Sequence, residues 1–183
     1  KQRIWKRILT KLKSDMDDIT IKRIEQAHPK IKDMLLQQYE EANNLLGSNV
    51  RLRFAYVFRT PEEQRALYAQ GRAVKGKKVT NADQWQSIHN YGLAFDIVIL
   101  VDVDGNGTFE TATWDTKKDF DKDLQSDWME VTNYFKGKGW KWGGNFKSIY
   151  DAPHFEMTFG HTPKALKALI DANNVIIENG ITY

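Results

Sequence analysis

The chain has 183 residues, of which 41% are hydrophobic and 28% charged, with a formal net charge of +3 and no cysteine. This length and balance predict one globular domain, residues 1–183, with its own core. The absence of cysteine excludes disulfides and thiolate metal sites, so any metal must be held by His, Asp or Glu. No apolar run approaches the roughly 18 residues of a membrane span. The small charge excess gives no reason to expect a nucleic-acid partner.

The first 15 residues predict a basic amphipathic helix or tail. Its apolar side chains recur at helical spacing: Ile4, Trp5, Ile8, Leu9 and Leu12. Docking of this face on the body of the protein is favoured over contact with a membrane surface. The chain begins at Lys1, and no apolar segment typical of a signal peptide is visible.

Helices and strands follow in mixed order. Helical patterns cover residues 29–46, 61–70, 119–136 and 162–172, and strand patterns cover residues 50–58, 95–103 and 154–158. Thr60 to Glu63 form a capping box that opens the second of these helices. In residues 119–136, one helical face collects Phe120, Leu124, Trp128, Val131 and Phe135. Since the order lacks regular βαβ alternation, we expect an α+β fold with an antiparallel sheet flanked by helices.

Asp96 is the most informative polar residue, because it lies inside the apolar run 95–103. A buried carboxylate needs a partner. One interpretation is an ion pair with Arg51 or Arg53. Another is a metal site, since the turn-like Asn90 to Gly92 would allow His89 to approach Asp96.

A second histidine, His154, follows Pro153 at the predicted start of a strand, between Asp151 and Glu156. Two His and one Asp suit catalytic zinc, which keeps its fourth position for water. Similar sets bind iron(II) in oxygenases, but those commonly place the first His and the carboxylate two residues apart, not seven. Taken singly, each histidine, including His28 and His161, is more often an ordinary hydrogen-bonded residue.

The segment from Ser87 to Asp96 resembles the SxHxxGxAxD motif of the D-Ala-D-Ala carboxypeptidase/L-alanyl-D-glutamate peptidase family of zinc enzymes. The segment 151–156 resembles the second motif of that family. Residues 58–64 and 139–144 also resemble family segments. The resemblance covers roughly residues 28–160, with Asn145-Phe146 departing from an expected Asp-Trp pair.

This resemblance implies a role for each of seven residues. The zinc ligands would be His89, Asp96 and His154, the general base Asp151, the oxyanion-stabilising cation Arg59, and the substrate contacts Ser87 and Gln64. Glu156 would support the site, and Trp140 and Trp142 would pack in the core. The implied fold is the Hedgehog/DD-peptidase-like α+β fold.

The family cleaves peptidoglycan stem peptides, so we expect a monomeric enzyme that acts at the bacterial cell wall, whether secreted, periplasmic or released by a phage at lysis. The segment Arg59 to Gln64 favours an L-alanyl-D-glutamate endopeptidase over a D-Ala-D-Ala carboxypeptidase. A different class remains open, namely a non-catalytic zinc-containing binding domain of Hedgehog type. The presence of both Asp151 and Arg59 favours the enzyme.

Residues 102–110 (DVDGNGTFE) place oxygen side chains at positions 1, 3 and 5 of an EF-hand-like loop and Gly at position 6. Thr113 stands at position 12, where the EF-hand has Glu. A Gly-rich turn is the favoured interpretation, and calcium binding is an open alternative.

Overall fold

The computed structural model describes residues 16–147 and 149–183, so the predicted basic helix or tail of residues 1–15 lies outside the described residues. The described helices are α1 Asp18–Ile24, α2 Pro29–Asn43, α3 Pro61–Ala69, α4 Asp127–Gly137 and α5 Pro163–Asp171. The strands are β1 Val50–Tyr56, β2 Ala94–Val101, β3 Thr111–Thr113, β4 Lys141–Trp142, β5 His154–Glu156, β6 Ile177–Glu178 and β7 Ile181–Thr182. Within these residues, no helix is long and apolar enough to cross a membrane.

The main sheet is antiparallel, with strand order β1-β2-β5-β4 and with β3 paired to β2. This arrangement confirms the predicted α+β fold and the central position of β2. In the register between β2 and β5, Asp96 lies directly opposite His154. The strand pairing therefore brings together two side chains that are 58 residues apart in the chain.

The core lies against the other face of β2. Phe95, Ile97, Ile99 and Val101 alternate with Asp96 along the strand and are all buried. The Phe95 ring stacks on Phe54 at 4.3 Å and on Phe155 at 5.2 Å, and it meets Phe135 of α4 edge-on at 4.7 Å. Because Phe95 and Phe155 directly adjoin Asp96 and His154, this aromatic packing fixes the backbone on which those two residues stand.

The predicted helix over residues 119–136 is wrong in its first half, because α4 begins only at Asp127 with Ser126 as its N-cap. Residues before it form turns whose backbone N–H groups donate to Asp119 and Asp123. Short carboxylate side chains compete with the helix for these donors. Leu124 has φ +79° and is 95% exposed, so its helical spacing does not reflect burial.

The first strand, β1, ends at Tyr56, whereas the sequence pattern predicts a strand through residue 58. Its pairing with β2 shifts between Phe54 and Tyr56, as in a β-bulge. The shift turns Tyr56 outward, leaving it 52% exposed. Tyr56 thereby joins the wall of the cavity described below instead of the core.

Candidate metal and catalytic centre

His89 is positioned by a 3₁₀ helix, Ile88–Tyr91, which connects α3 to β2. Ser87 caps this helix and accepts a hydrogen bond from the His89 backbone N–H. Gly92 ends it with φ +63°, and a Cβ at Gly92 would lie 2.7 Å from the backbone nitrogen of His28. Only glycine fits there, so the turn that separates His89 from β2 depends on Gly92.

Three side-chain atoms from distant parts of the chain meet at one point. His89 Nε2 lies 3.1 Å from Asp96 Oδ1 and 3.1 Å from His154 Nδ1, and the last two atoms are also 3.1 Å apart. His89 and His154 are buried. The structure thus brings together the three residues expected to be metal ligands, in a cluster that could hold a metal ion.

The outer ring nitrogens of both histidines have partners of their own. His89 Nδ1 lies 2.8 Å from the carbonyl oxygen of Val57, and His154 Nε2 lies 3.2 Å from Glu156 Oε2. If each of these nitrogens donates its proton outward, the inner nitrogens present bare lone pairs. Two lone pairs and a carboxylate oxygen then face each other at 3.1 Å, an arrangement that requires a cation or a shared proton between them.

The pKa values reflect the same concentration of charge. Burial raises the pKa of Asp96, but the charges and hydrogen bonds of His89 and His154 outweigh it and hold that pKa well below its usual range. Burial lowers the pKa of His154, but hydrogen bonds with Asp96 and Glu156 raise it to about 9. Both shifts favour the charged forms when no metal is bound, a carboxylate at Asp96 and a protonated ring at His154.

Arg59 extends from the end of β1 over Asp96, with its Nη2 atom 3.7 Å from Asp96 Oδ2. Its backbone carbonyl accepts a hydrogen bond from Asn90 Nδ2 at 2.8 Å, which ties it to the helix that carries His89. The alternative that Asp96 pairs with Arg51 or Arg53 is wrong, since Arg53 binds Asp17 and Arg51 stacks on Phe109.

Gln64 does not lie where a substrate contact is expected. Its side chain is fully buried in α3, accepts a hydrogen bond from Arg59 Nη1 at 2.8 Å and donates to the Ala82 carbonyl at 2.7 Å. Gln64 is not among the residues that line the cavity beside the three clustered residues. The substrate contact of Gln64 therefore stays a prediction that this structure does not show, and the hydrogen bond indicates instead that Gln64 positions the Arg59 guanidinium.

Asp151 lies on the loop before β5 and lines the same cavity as the three clustered residues. Burial and the charge of Asp96 raise its pKa, against the opposing effect of His154, His89 and Arg59. A raised pKa favours proton uptake, which a general base requires. The sequence resemblance correctly places Asp151 beside the cluster, but its role remains a prediction.

The Asp151 loop packs closely on the turn after β4. A Cβ on Gly143 would lie 2.3 Å from the Asp151 carbonyl oxygen and 3.0 Å from the Cβ of His154. Trp142 Nε1 donates to the Ala152 carbonyl at 2.7 Å, and Trp140 is buried in the core, as predicted. Trp142 and Gly143 therefore support this loop.

The cluster opens into a cavity of about 660 Å³. Ser87, which the resemblance implies as a substrate contact, lines this cavity. The sequence did not identify the following lining residues: Tyr56, Lys141, Phe146, Ile149, Thr158 and His161. Phe146, which replaces the expected Trp, lies with its ring 5.8 Å from the His154 ring. These residues carry no motif, because only the folded loops bring them to one wall.

The glycine-rich loop 102–110 has the features of a self-contained turn. Asp102 is buried and accepts backbone N–H groups of Gly105, Asn106 and Gly107. The nearby Asp104 and Glu110 carboxylates also accept hydrogen bonds from within the loop. These bonds support the favoured interpretation of a turn.

Comparison with known proteins identifies relatives of this region. Residues 80–157 match the sequence profile of a family described as D-alanyl-D-alanine carboxypeptidase. Over 100 residues the chain is 44% identical to the peptidoglycan L-alanyl-D-glutamate endopeptidase CwlK of Bacillus subtilis, covering 55% of this chain and 56% of that protein. The chain thus spans little more than half the length of this curated relative.

The fold has a solved counterpart. The structure of the L-Ala D-Glu endopeptidase ChiX of Serratia marcescens matches with a TM-score of 0.51 over 78% of this chain and 88% of that chain, at 19% identity. This similarity concerns the fold, whereas the profile match spans the three clustered residues and Asp151. The resemblance drawn from the sequence motifs is therefore confirmed: residues 80–157 match the D-alanyl-D-alanine carboxypeptidase family.

Proposed function

We propose that this protein is a zinc-dependent peptidase that hydrolyses peptidoglycan stem peptides, cutting between L-alanine and D-glutamate. The observation that carries the proposal is the convergence of His89 Nε2, Asp96 Oδ1 and His154 Nδ1 at 3.1 Å. The similarity to an endopeptidase of the same named specificity supports the substrate.

The donor set fits zinc in number, type and spacing. Zinc in catalytic sites takes three protein ligands at about 2.0–2.2 Å, and the edge of such a tetrahedron is roughly 3.3–3.6 Å. The three observed separations of 3.1 Å are close to that edge. Val57 and Glu156 would hold the outer ring nitrogens and so fix the orientation of both histidines.

When bound, zinc supplies Lewis acidity that makes water more acidic and polarises a carbonyl group. Asp151 would accept a proton from the attacking water while the water oxygen bonds to the scissile carbonyl carbon. As the C–N bond breaks, Asp151 would return that proton to the leaving amine. Arg59, fixed by Gln64, would hold the carbonyl oxygen while negative charge develops on it.

The cavity walls suit an extended peptide with charged groups. Arg59 and Lys141 contribute positive charge, and Tyr56, Phe146 and Ile149 contribute apolar surface. A stem peptide carries carboxylates beside short aliphatic side chains, which matches that division. We propose that Ser87, which lines this cavity, contacts the substrate, and that the protein acts as a monomer at the bacterial cell wall.

Metal analysis of paired variants tests the zinc site. Wild-type protein should carry about one zinc per chain by mass spectrometry of metals, and His89→Ala and His154→Ala should lose both zinc and peptidase activity. His28→Asn is the matched control, because His28 caps α2 and Asn is a good capping residue. Full activity in verified metal-free wild-type protein would contradict the proposal.

A further inference from the structure

A second group of carboxylates occupies the segment just before and at the start of α4. Within the twelve residues 119–130 (DFDKDLQSDWME), acidic side chains stand at positions 1, 3, 5, 9 and 12. Ligands in the EF-hand calcium loop come from these positions, with a backbone carbonyl at position 7 and a bidentate Glu at position 12. Here position 7 is Gln125 and position 12 is Glu130.

The structure brings these carboxylates together. One ligand atom from each of Asp119, Asp121 and Asp127 lies within 4.8 Å of the others, and the same holds for Asp121, Asp123 and Glu130. Asp121 belongs to both sets, so the five groups form one continuous cluster. Lys122 is the sole cationic residue of the twelve, which leaves the cluster strongly negative.

Two oxygens in this cluster are buried without a partner. Asp127 is 1% exposed, and its Oδ2 accepts the Phe120 backbone N–H while its Oδ1 has no hydrogen-bond partner among the described residues. Glu130 Oε2 is likewise buried and unpaired within that part of the chain. A buried carboxylate oxygen without a partner costs free energy, so a bound cation at these two atoms would stabilise the fold.

The backbone of the loop also has the required turn. Position 6 of an EF-hand loop is normally Gly, because the chain turns sharply there. Leu124 occupies that position with φ +79°, in the left-handed region that glycine adopts easily. Its side chain is 95% exposed, so packing does not explain the presence of Leu in this conformation.

We infer that residues 119–130 bind a calcium ion, held by the carboxylates of Asp119, Asp121, Asp123, Asp127 and Glu130. Calcium accepts six to eight oxygen ligands in flexible geometry, whereas magnesium requires a near-ideal octahedron and retains water. The inference does not depend on peptidase activity. The carboxylates of both acidic loops accept hydrogen bonds from within their own loop. The difference is that Asp127 and Glu130 each keep a buried oxygen without a partner, whereas residues 102–110 have no such oxygen among the described residues.

The position of the loop links this site to the core. Gly47, which follows α2, donates its backbone N–H to Asp121 at 2.7 Å, and Asn49 donates to the Phe120 carbonyl at 2.9 Å. Asp127 opens α4, whose Trp128 is fully buried. A calcium ion would therefore join the start of α4 to the end of α2, and we expect it to stabilise the whole fold.

Calorimetric titration tests the inference. The full chain, in calcium-free buffer with equimolar zinc, is titrated with CaCl2 and, in a separate experiment, with MgCl2. We expect one calcium per chain and much weaker binding of magnesium. Calcium at about 100 times its dissociation constant should raise the melting temperature by roughly 5–10 °C. Absence of both binding heat and a melting shift up to millimolar calcium would overturn the inference.

Variants locate the site. Asp123→Asn, at an exposed position, should weaken calcium binding by about tenfold or more, and Glu130→Gln should weaken it further. The matched control is Asp104→Asn in loop 102–110, which should bind calcium like the wild type. Loss of binding in Asp104→Asn, with binding retained in Asp123→Asn, would assign the ion to the other loop and refute the inference.

Discussion

Replacing Gln64 tests whether Arg59, the proposed oxyanion-stabilising cation, is held in place by a buried neighbour. Gln64→Leu keeps a side chain of similar size but removes the acceptor of the Arg59 bond at 2.8 Å and the donor to Ala82 at 2.7 Å. A hydrogen bond to a charged group contributes about 1.5–3 kcal/mol and a neutral one about 1 kcal/mol, so the loss of stability should reach roughly 2.5–4 kcal/mol.

The effect on turnover should exceed a general loss of stability. Misplacing a catalytic group by about 1 Å costs on the order of 100-fold in rate. We therefore expect kcat on a stem peptide to fall by about 10- to 100-fold at a temperature where the variant is folded, with zinc content and KM little changed. Gln64→Glu keeps an acceptor for Arg59 and should retain more activity than Gln64→Leu.

The control for this experiment is Glu62→Gln, an exposed residue in the first turn of the same helix. It should leave kcat within about twofold of the wild type, as expected for a surface substitution. If Gln64→Leu raises KM and leaves kcat unchanged, the result would support a direct contact of Gln64 with the substrate and refute the positioning role. Unchanged kcat and KM in the folded variant would also refute it.

Three further predictions follow from the same contacts. Gly143→Ala should lower kcat with the metal ligands intact, because its Cβ would displace the Asp151 loop; Gly137→Ala, whose added Cβ would meet no described atom within 4 Å, should leave kcat near the wild-type value in the same assay. Asp151→Asn should keep zinc and fold but lose most turnover, whereas Glu156→Gln should act partly through zinc affinity; the reverse pattern would reassign the base. In calcium-free protein, burial and the nearby aspartates raise the pKa of Glu130 from 4.5 to about 7, so the native state holds its proton more tightly than the unfolded chain. The free energy of unfolding should therefore fall as pH rises from about 4.5 to 7. Urea unfolding at several pH values should show a smaller fall over this range in Glu130→Gln than in the wild type.

The sequence allows the cluster of His89, Asp96 and His154 and the central strand to be predicted, because each leaves a local signal. A carboxylate within an apolar run is costly to bury without a partner, so Asp96 stands out in the sequence. The turn that ends at Gly92 allows the His89 side chain to approach Asp96. The pairing of Asp96 with His154 follows from strand register, which alternation alone does not determine. The motif resemblance supplied that step.

Other features could not be predicted because they depend on tertiary contacts. Phe120, Leu124 and Trp128 have helical spacing, yet Leu124 is exposed and the aspartates between them bind backbone groups in turns. The same misinterpretation hid the acidic spacing of residues 119–130. The Gln64 motif position likewise gives no sign that its amide is buried against Arg59.

Digestion of purified peptidoglycan followed by mass spectrometry of the released peptides tests the central claim most directly. The zinc-loaded protein should produce fragments with a new amino terminus at D-glutamate and a matching L-alanine carboxyl terminus, and Asp151→Asn should produce almost none. Release of terminal D-alanine alone would indicate a carboxypeptidase and contradict the proposed bond. Intact peptidoglycan after incubation with folded, zinc-loaded wild-type protein would contradict the proposed activity.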